Sequence, residues 1–350
     1  MTMSEHKIII PTGYMGSGSS AVTDLLREYP CLNTKNADFE YIFLHAPGGL
    51  LDLEQKLLHN NNAIRSDEAI KTFRSLMRNL FVYRGWWPAG YNHAVSRDFL
   101  KIVDEYLNSI NTVSFEGNWY IYDKPSYLVY LMRSLRNRGS KLLNLKIQPK
   151  KKNVQKLEIS IPSEKEFYEK SKQFIRNVIN EINTNNQDIV LDQLLLPHNL
   201  SSFEKYEIEN VFPILVQRDP RDVYISNKYY WAPMGSEVPY PLDVHEFCKY
   251  YRAVRESEIE TKEHCLRINF EDLIIHYDDV VSKIESYLNL DSSDHKLPKA
   301  YLNPNQSINN LRIFSRTTDY EREIEVINKE LAEYLYPFPE KLESVTGEVF

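Results

Sequence analysis

The sequence predicts an α/β fold, a parallel sheet flanked by helices, with a mainly helical insertion that contains a β-hairpin. Three observations carry that expectation. Short apolar, β-branched runs at residues 7–12, 188–196, 212–218 and 265–269 read as buried strands. Segments of helical spacing alternate with them, the pattern of a parallel sheet covered on both faces. Two of the strands run directly into marked helix starts, the kind of junction where open sheets bind ligands.

The elements follow in order. Ile8, Ile9 and Ile10 form a strand that ends in glycines, and from Ser19 the apolar positions Val22, Leu25, Leu26 and Tyr29 fall on one helical face. Residues 65–82, 94–110 and 124–138 show helical periodicity with many basic and aromatic side chains. Residues 141–161 read as two strands around Lys150, Lys151 and Lys152, a hairpin. Ser163 and Glu166 make a capping-box pattern that opens a helix to about residue 183. Helices near 220–230, 243–262, 275–288 and 319–335 complete the set. Residues 1–350 are thus expected to form one domain, with residues 50–185 as a helical insertion that shapes a cleft.

Composition excludes several classes. With 42% hydrophobic and 26% charged residues the chain is ordinary for a globular protein. A net charge of −7 gives no reason to expect nucleic-acid binding. Apolar runs are short, so no transmembrane segment is expected, and the start MTMSEHK lacks a signal-like pattern. Cys31, Cys248 and Cys265 lack metal spacing, which predicts no metal site and a reducing, cytoplasmic setting.

Two phosphate-binding patterns lie about two hundred residues apart. In IIIPTGYMGSGSSAVTDLL (residues 8–26), Gly13 and Gly18 have P-loop spacing and Ser20 takes the hydroxyl position. Backbone N–H groups at the following helix start favour an anion. Ser19 stands where the phosphate-neutralising lysine belongs, which argues against an ordinary ATPase or GTPase. The competing reading is a turn that only packs helix on sheet. In FPILVQRDPRDVYIS (residues 212–226), Asp219 suits a helix cap, Pro220 the first turn and Asp222 the dipole. Arg218 is then held at the strand end, with Ser226 two helical turns on, placed to grip one phosphate. An ion pair of Asp222 with Arg218 or Arg221 is the bland alternative.

RDPRDVYIS resembles the 3′-phosphate element of sulfotransferases that use 3′-phosphoadenosine-5′-phosphosulfate (PAPS), where Arg and Ser are spaced as Arg218 and Ser226 are. GYMGSGSSAVTDLL resembles the same family's 5′-phosphosulfate loop, and residues 268–290 resemble its Glu-Asp-Leu turn and following helix. The resemblance covers about half the chain and implies a P-loop-NTPase-like sheet. It also implies a nucleotide site at Gly13, Tyr14, Met15, Gly16, Ser17, Gly18, Ser19, Ser20, Arg218 and Ser226. Arg312, with Arg316, matches a Ser/Asn/basic stretch that folds over the nucleotide. The loop departs from the family at Gly16, where many members carry Lys or Arg. Carbohydrate- and tyrosine-modifying members place their general base, a Glu, shortly after the first helix, which implies that role for Glu40 here, with Asp38 as its rival. Lys124, in a Lys-Pro segment, is a candidate cation for the leaving group, as are Lys35 and Lys146. In a second register Asp192 or Gln193 falls where that lysine is usual, close to His198, a rival base.

The resulting expectation is sulfation of a hydroxyl on a carbohydrate or glycolipid, such as a bacterial polysaccharide, with aromatic residues around Trp86, Trp87 and Trp119 suiting sugar faces. A P-loop nucleotide kinase and a non-catalytic nucleotide- or glycan-binding relative are the alternatives.

Overall fold

A computed structural model describes residues 6–14, 16–119, 121, 126–142, 154–235, 240–258 and 265–339. Its elements are β1 (Ile8–Gly13), α1 (Ser19–Leu26), β2 (Leu32–Asn33), α2 (Leu50–Leu58), α3 (Ala63–Phe81), α4 (Tyr91–Ala94) and α5 (Phe99–Ile110). There follow β3 (Val113–Gly117), α6 (Tyr127–Leu142), β4 (Gln155–Ile159), α7 (Glu164–Ile182), β5 (Asp188–Val190), α8 (Leu200–Phe203), β6 (Val211–Gln217) and α9 (Pro220–Ile225). After a π-helical turn at Ser226–Trp231 come α10 (Val244–Glu256), β7 (Leu266–Asn269), α11 (Phe270–Ile275), α12 (Tyr277–Leu288), α13 (Pro304–Ser307) and α14 (Glu321–Glu330).

Five strands form one parallel sheet in the order β2-β5-β1-β6-β7. The side-chain alternation of β1 divides the interior in two. Ile8 and Ile10 enter a cluster with α2, α3, α5 and α7, while Ile9 packs with α1, α11 and α12 on the other face. A third cluster joins α9, α10 and α14. The register sets Gly13 beside Val216, so the turns after β1 and β6 open next to each other at the carboxyl edge of the sheet. The expected parallel sheet with helices on both faces is therefore present.

Several expected elements differ in detail. The hairpin partner of β4 is β3, which pairs with it antiparallel. The other arm expected for that hairpin begins with the last residues of α6 and then runs through 143–153, which lie outside the described residues. Strand 188–196 shortens to β5, and the expected run cannot extend past Gln193, whose φ of 53° is left-handed. Helix 94–110 begins only at Phe99, and helix 220–230 passes from α to π geometry at Ser226. The N-cap half of the expected capping box is present, with Ser163 Oγ accepting the N–H of Glu166.

Candidate functional site

The loop after β1 is built by its glycines. Gly18, the residue before α1, has φ 86°, and a Cβ there would stand 2.5 Å from the Phe270 ring. Gly16, at φ 84°, lies against the Trp231 indole. A turn bond from Ser17 N–H to the Tyr14 carbonyl closes the loop at 2.9 Å, and Ser19 Oγ accepts from the Gln193 side-chain amide at 3.0 Å. No side chain caps α1, which leaves first-turn N–H groups available to an anion.

The second turn is locked to the first. Asp219 caps α9 by accepting the N–H of Arg221, and its carboxylate also holds the Arg221 guanidinium. Asp222 has neither arginine as a hydrogen-bonding partner; it is fully buried and accepts the N–H groups of Arg312 and Phe314. Burial pushes its carboxyl up to about 7. Arg218 is only 5% exposed and points inward. It donates to the Gly16 carbonyl at 3.1 Å and to the Asn310 carbonyl at 2.5 Å, over the Phe270 ring at 5.0 Å.

Loop and arginine share one cavity of about 480 Å³. Tyr14, Gly16, Gly18, Ser19, Ser20 and Arg218 line it, and so do Asp24, Glu40, Gln193, Trp231, Phe270, Tyr301, Ser307 and Asn310. Arg218 Nε, on a residue of the lining, is buried with no hydrogen-bond partner, and so are Ser17 Oγ in the loop after β1 and Ser226 Oγ and Asn227 Oδ1 at the end of α9, none of which belongs to the lining. Buried donors without partners are rare in folded interiors.

The predicted catalytic residues are placed unequally. Glu40 lines the cavity, and burial raises its carboxyl above the usual range. Its position follows from Tyr41, whose N–H bonds the Asp192 carbonyl, and from the Tyr91 hydroxyl that accepts the N–H groups of Ile42 and Phe43. Asp38 is exposed and pairs with Arg27 at 2.9 Å. His198 sits on a short turn outside the cavity lining, its ring stacked 6.4 Å from Tyr14, and burial lowers its pKa. Lys35 is exposed; Lys124, Lys146 and Met15 lie outside the described residues. Gly13 ends β1 with its Cα facing Ser17, where a Cβ would meet Ser17 Oγ at 2.1 Å. Arg312 and Arg316 stand off the lining: Arg312 is fixed through its backbone to Asp222, and the Arg316 guanidinium bonds the Asn309 carbonyl.

In the register where a lysine was expected, Gln193 faces the cavity and Asp192 is buried behind it. Burial, then the neighbouring Glu40 charge, pushes Asp192 up to about 8. Reading the sequence alone missed Trp231, Tyr301, Ser307 and Asn310. The last two belong to a stretch already singled out, but for its arginines.

No family model and no curated protein matches this chain. Among solved structures it is similar to the sulfotransferase domain of the Synechococcus PCC 7002 olefin synthase, with 11% identity, TM-score 0.39, and 97% of this chain and 100% of that one covered. It is similar also to sulfotransferase STF1 of Mycobacterium tuberculosis H37Rv, at 14% identity and TM-score 0.36 over 95% and 77% of the two chains. Sulfotransferase STF9 of Mycobacterium avium aligns at 12% identity and TM-score 0.39, covering 98% and 79%.

Proposed function

We propose that this chain is a sulfotransferase that moves a sulfuryl group from PAPS to a hydroxyl of a carbohydrate or glycolipid. The observation that carries the reading is the single cavity onto which the glycine loop, Arg218 and Glu40 all open. The unpartnered Ser17 and Ser226 hydroxyls and Arg218 Nε fit a ligand with phosphate at both ends. In this reading the loop N–H groups and Ser17 to Ser20 hold the 5′ end, and Arg218 with Ser226 holds the 3′-phosphate. Phe270 and Trp231 offer aromatic faces to the base between them.

The donor, when bound, supplies an activated sulfonate. The chain's share of the work is alignment, charge stabilisation and proton removal. Glu40 accepts the proton of the attacking hydroxyl, and its raised pKa brings it nearer the working pH of a general base. Trp86 and Trp87, 42% and 63% exposed, support a sugar-bearing acceptor.

Calorimetry with adenosine 3′,5′-bisphosphate tests the nucleotide half. Binding of that ligand in preference to MgATP is expected; the reverse preference would return the chain to the kinase reading. Turnover of labelled donor across a panel of glycans and glycolipids tests the acceptor half, and binding without turnover would make it a non-catalytic relative.

A further inference from the structure

α6 presents an apolar surface that no core cluster among the described residues covers. Tyr127, Leu128, Tyr130, Leu131, Met132 and Leu135 are between 40% and 75% exposed, and none belongs to a core cluster. By the 3.6-residue period, Tyr127, Leu128, Leu131, Met132 and Leu135 fall within one side of the helix. Contiguous exposed apolar side chains of this kind mark an interaction surface.

The helix itself carries charge of one sign. Along Tyr127–Leu142 the sequence has four basic residues and no carboxylate, in a chain whose net charge is −7. Arg133, Arg136, Arg138 and Lys141 lie within the helix itself.

We propose that α6 seats the protein on an anionic lipid bilayer, with its leucines and Met132 in the interfacial zone and its basic residues among the phosphate headgroups. The other partners satisfy only half of the pattern. A nucleic acid would take the cations and leave Leu128, Leu131 and Leu135 in water. A second copy of this chain would cover the leucines but bring like charges together. With 16 residues, α6 lies on such a surface, and no described helix is long and apolar enough to cross one. This seat is independent of the transfer chemistry proposed above.

Co-sedimentation of the full chain with vesicles tests it. The protein is expected to pellet with vesicles of mixed phosphatidylglycerol and phosphatidylcholine, far less with phosphatidylcholine alone, and less at high salt. Leu128→Asp with Leu135→Asp is expected to weaken that binding by about tenfold or more, and Arg133→Glu with Arg136→Glu to weaken it similarly. Both leucines are exposed, so circular dichroism is expected to show an unchanged fold. Failure to pellet with anionic vesicles, or pelleting untouched by the leucine variant, overturns the proposal. So does lipid-free sedimentation in which the leucine variant turns a dimer into a monomer, or a basic surface that binds an oligonucleotide in place of vesicles.

Discussion

The Glu271 carboxylate accepts the backbone N–H of Asp219 at 2.8 Å, and through that bond the start of α11 fixes the turn after β6. The adjoining residue of α11, Phe270, packs against Gly18 on one side and under Arg218 on the other. Three stretches far apart in sequence therefore form one rigid corner, and Arg218 completes it by bonding the Gly16 carbonyl.

Glu271 makes that corner sensitive to pH. Burial, opposed by the Asp219 N–H bond, pushes its carboxyl from 4.5 up to about 8. The folded chain thus keeps a proton that the unfolded chain releases, so stability falls as pH rises from about 4.5 to about 8. Asp192 and Asp222 are raised in the same sense and share the slope. Glu271→Gln is expected to reduce, not abolish, the decline in melting temperature across that interval. A slope identical to wild type would show Glu271 to be ionised in the fold.

Arg218 couples binding to loop geometry. Replacing it with Lys keeps one charge but loses the planar fork that reaches two carbonyls and still leaves Nε for a ligand. One charge-assisted hydrogen bond contributes about 1.5–3 kcal/mol, so Arg218→Lys should weaken adenosine 3′,5′-bisphosphate about tenfold or more. Calorimetry checks it; affinity equal to wild type would separate Arg218 from the nucleotide.

Gly18→Ala tests the loop by two separable effects. The added methyl meets Phe270 at 2.5 Å, and φ of 86° strains any residue with a Cβ. Together these should cost about 2–4 kcal/mol in urea unfolding. Adding Phe270→Ala relieves the clash but not the backbone strain, so the double variant should lose less through Gly18→Ala than wild type does. Equal losses in both backgrounds would mean that the ring yields freely.

How much of this was legible follows from the range over which each signal acts. β1, α1, β6 and α9 announce themselves locally, through a triple isoleucine, a glycine turn and an aspartate cap. β4 was recognised but not its partner, because Val113–Gly117 lies some forty residues upstream and residues 150–153 look like a hairpin turn by themselves. The run expected to reach residue 196 is broken at the left-handed Gln193, an uncommon conformation for that residue type. Trp231 lines the cavity from the end of the π-helical turn at Ser226–Trp231, a geometry that local sequence pattern does not announce. Tyr301, Ser307 and Asn310 arrive from a segment whose path is set by long-range hydrogen bonds that no local pattern encodes.

Glu40 is expected to govern turnover and not binding. Glu40→Gln keeps size and removes the proton acceptor, so the rate should fall by about 10²–10⁴ with nucleotide affinity nearly unchanged. Because burial raises its pKa, the acid limb of the wild-type profile should lie above the ordinary carboxylate range, with rate rising as the proton leaves. Unchanged turnover in Glu40→Gln would transfer the role to Asp38 or His198.

Glu28 sets the opposite wall of the cavity. It lies just beyond the end of α1, whose start forms the phosphate loop, and it is completely buried. Its carboxylate accepts the N–H groups of Lys299, Tyr301 and Leu302, the Tyr277 hydroxyl, and a hydrogen bond with His295 Nε2 at 2.6 Å. Burial alone would push this carboxyl up, but His295 and the backbone donors hold it below the usual range. Its contribution is therefore present above the ordinary carboxylate pKa and disappears as pH falls through the lowered one. An amide cannot accept at both positions, so Glu28→Gln turns an –NH₂ against buried donors and should cost about 2–4 kcal/mol. Tyr301 and Leu302 line the cavity, so nucleotide affinity should fall with stability, even in the folded fraction well below the urea transition. Lower stability with native affinity would confine Glu28 to the fold and leave the wall to hold itself.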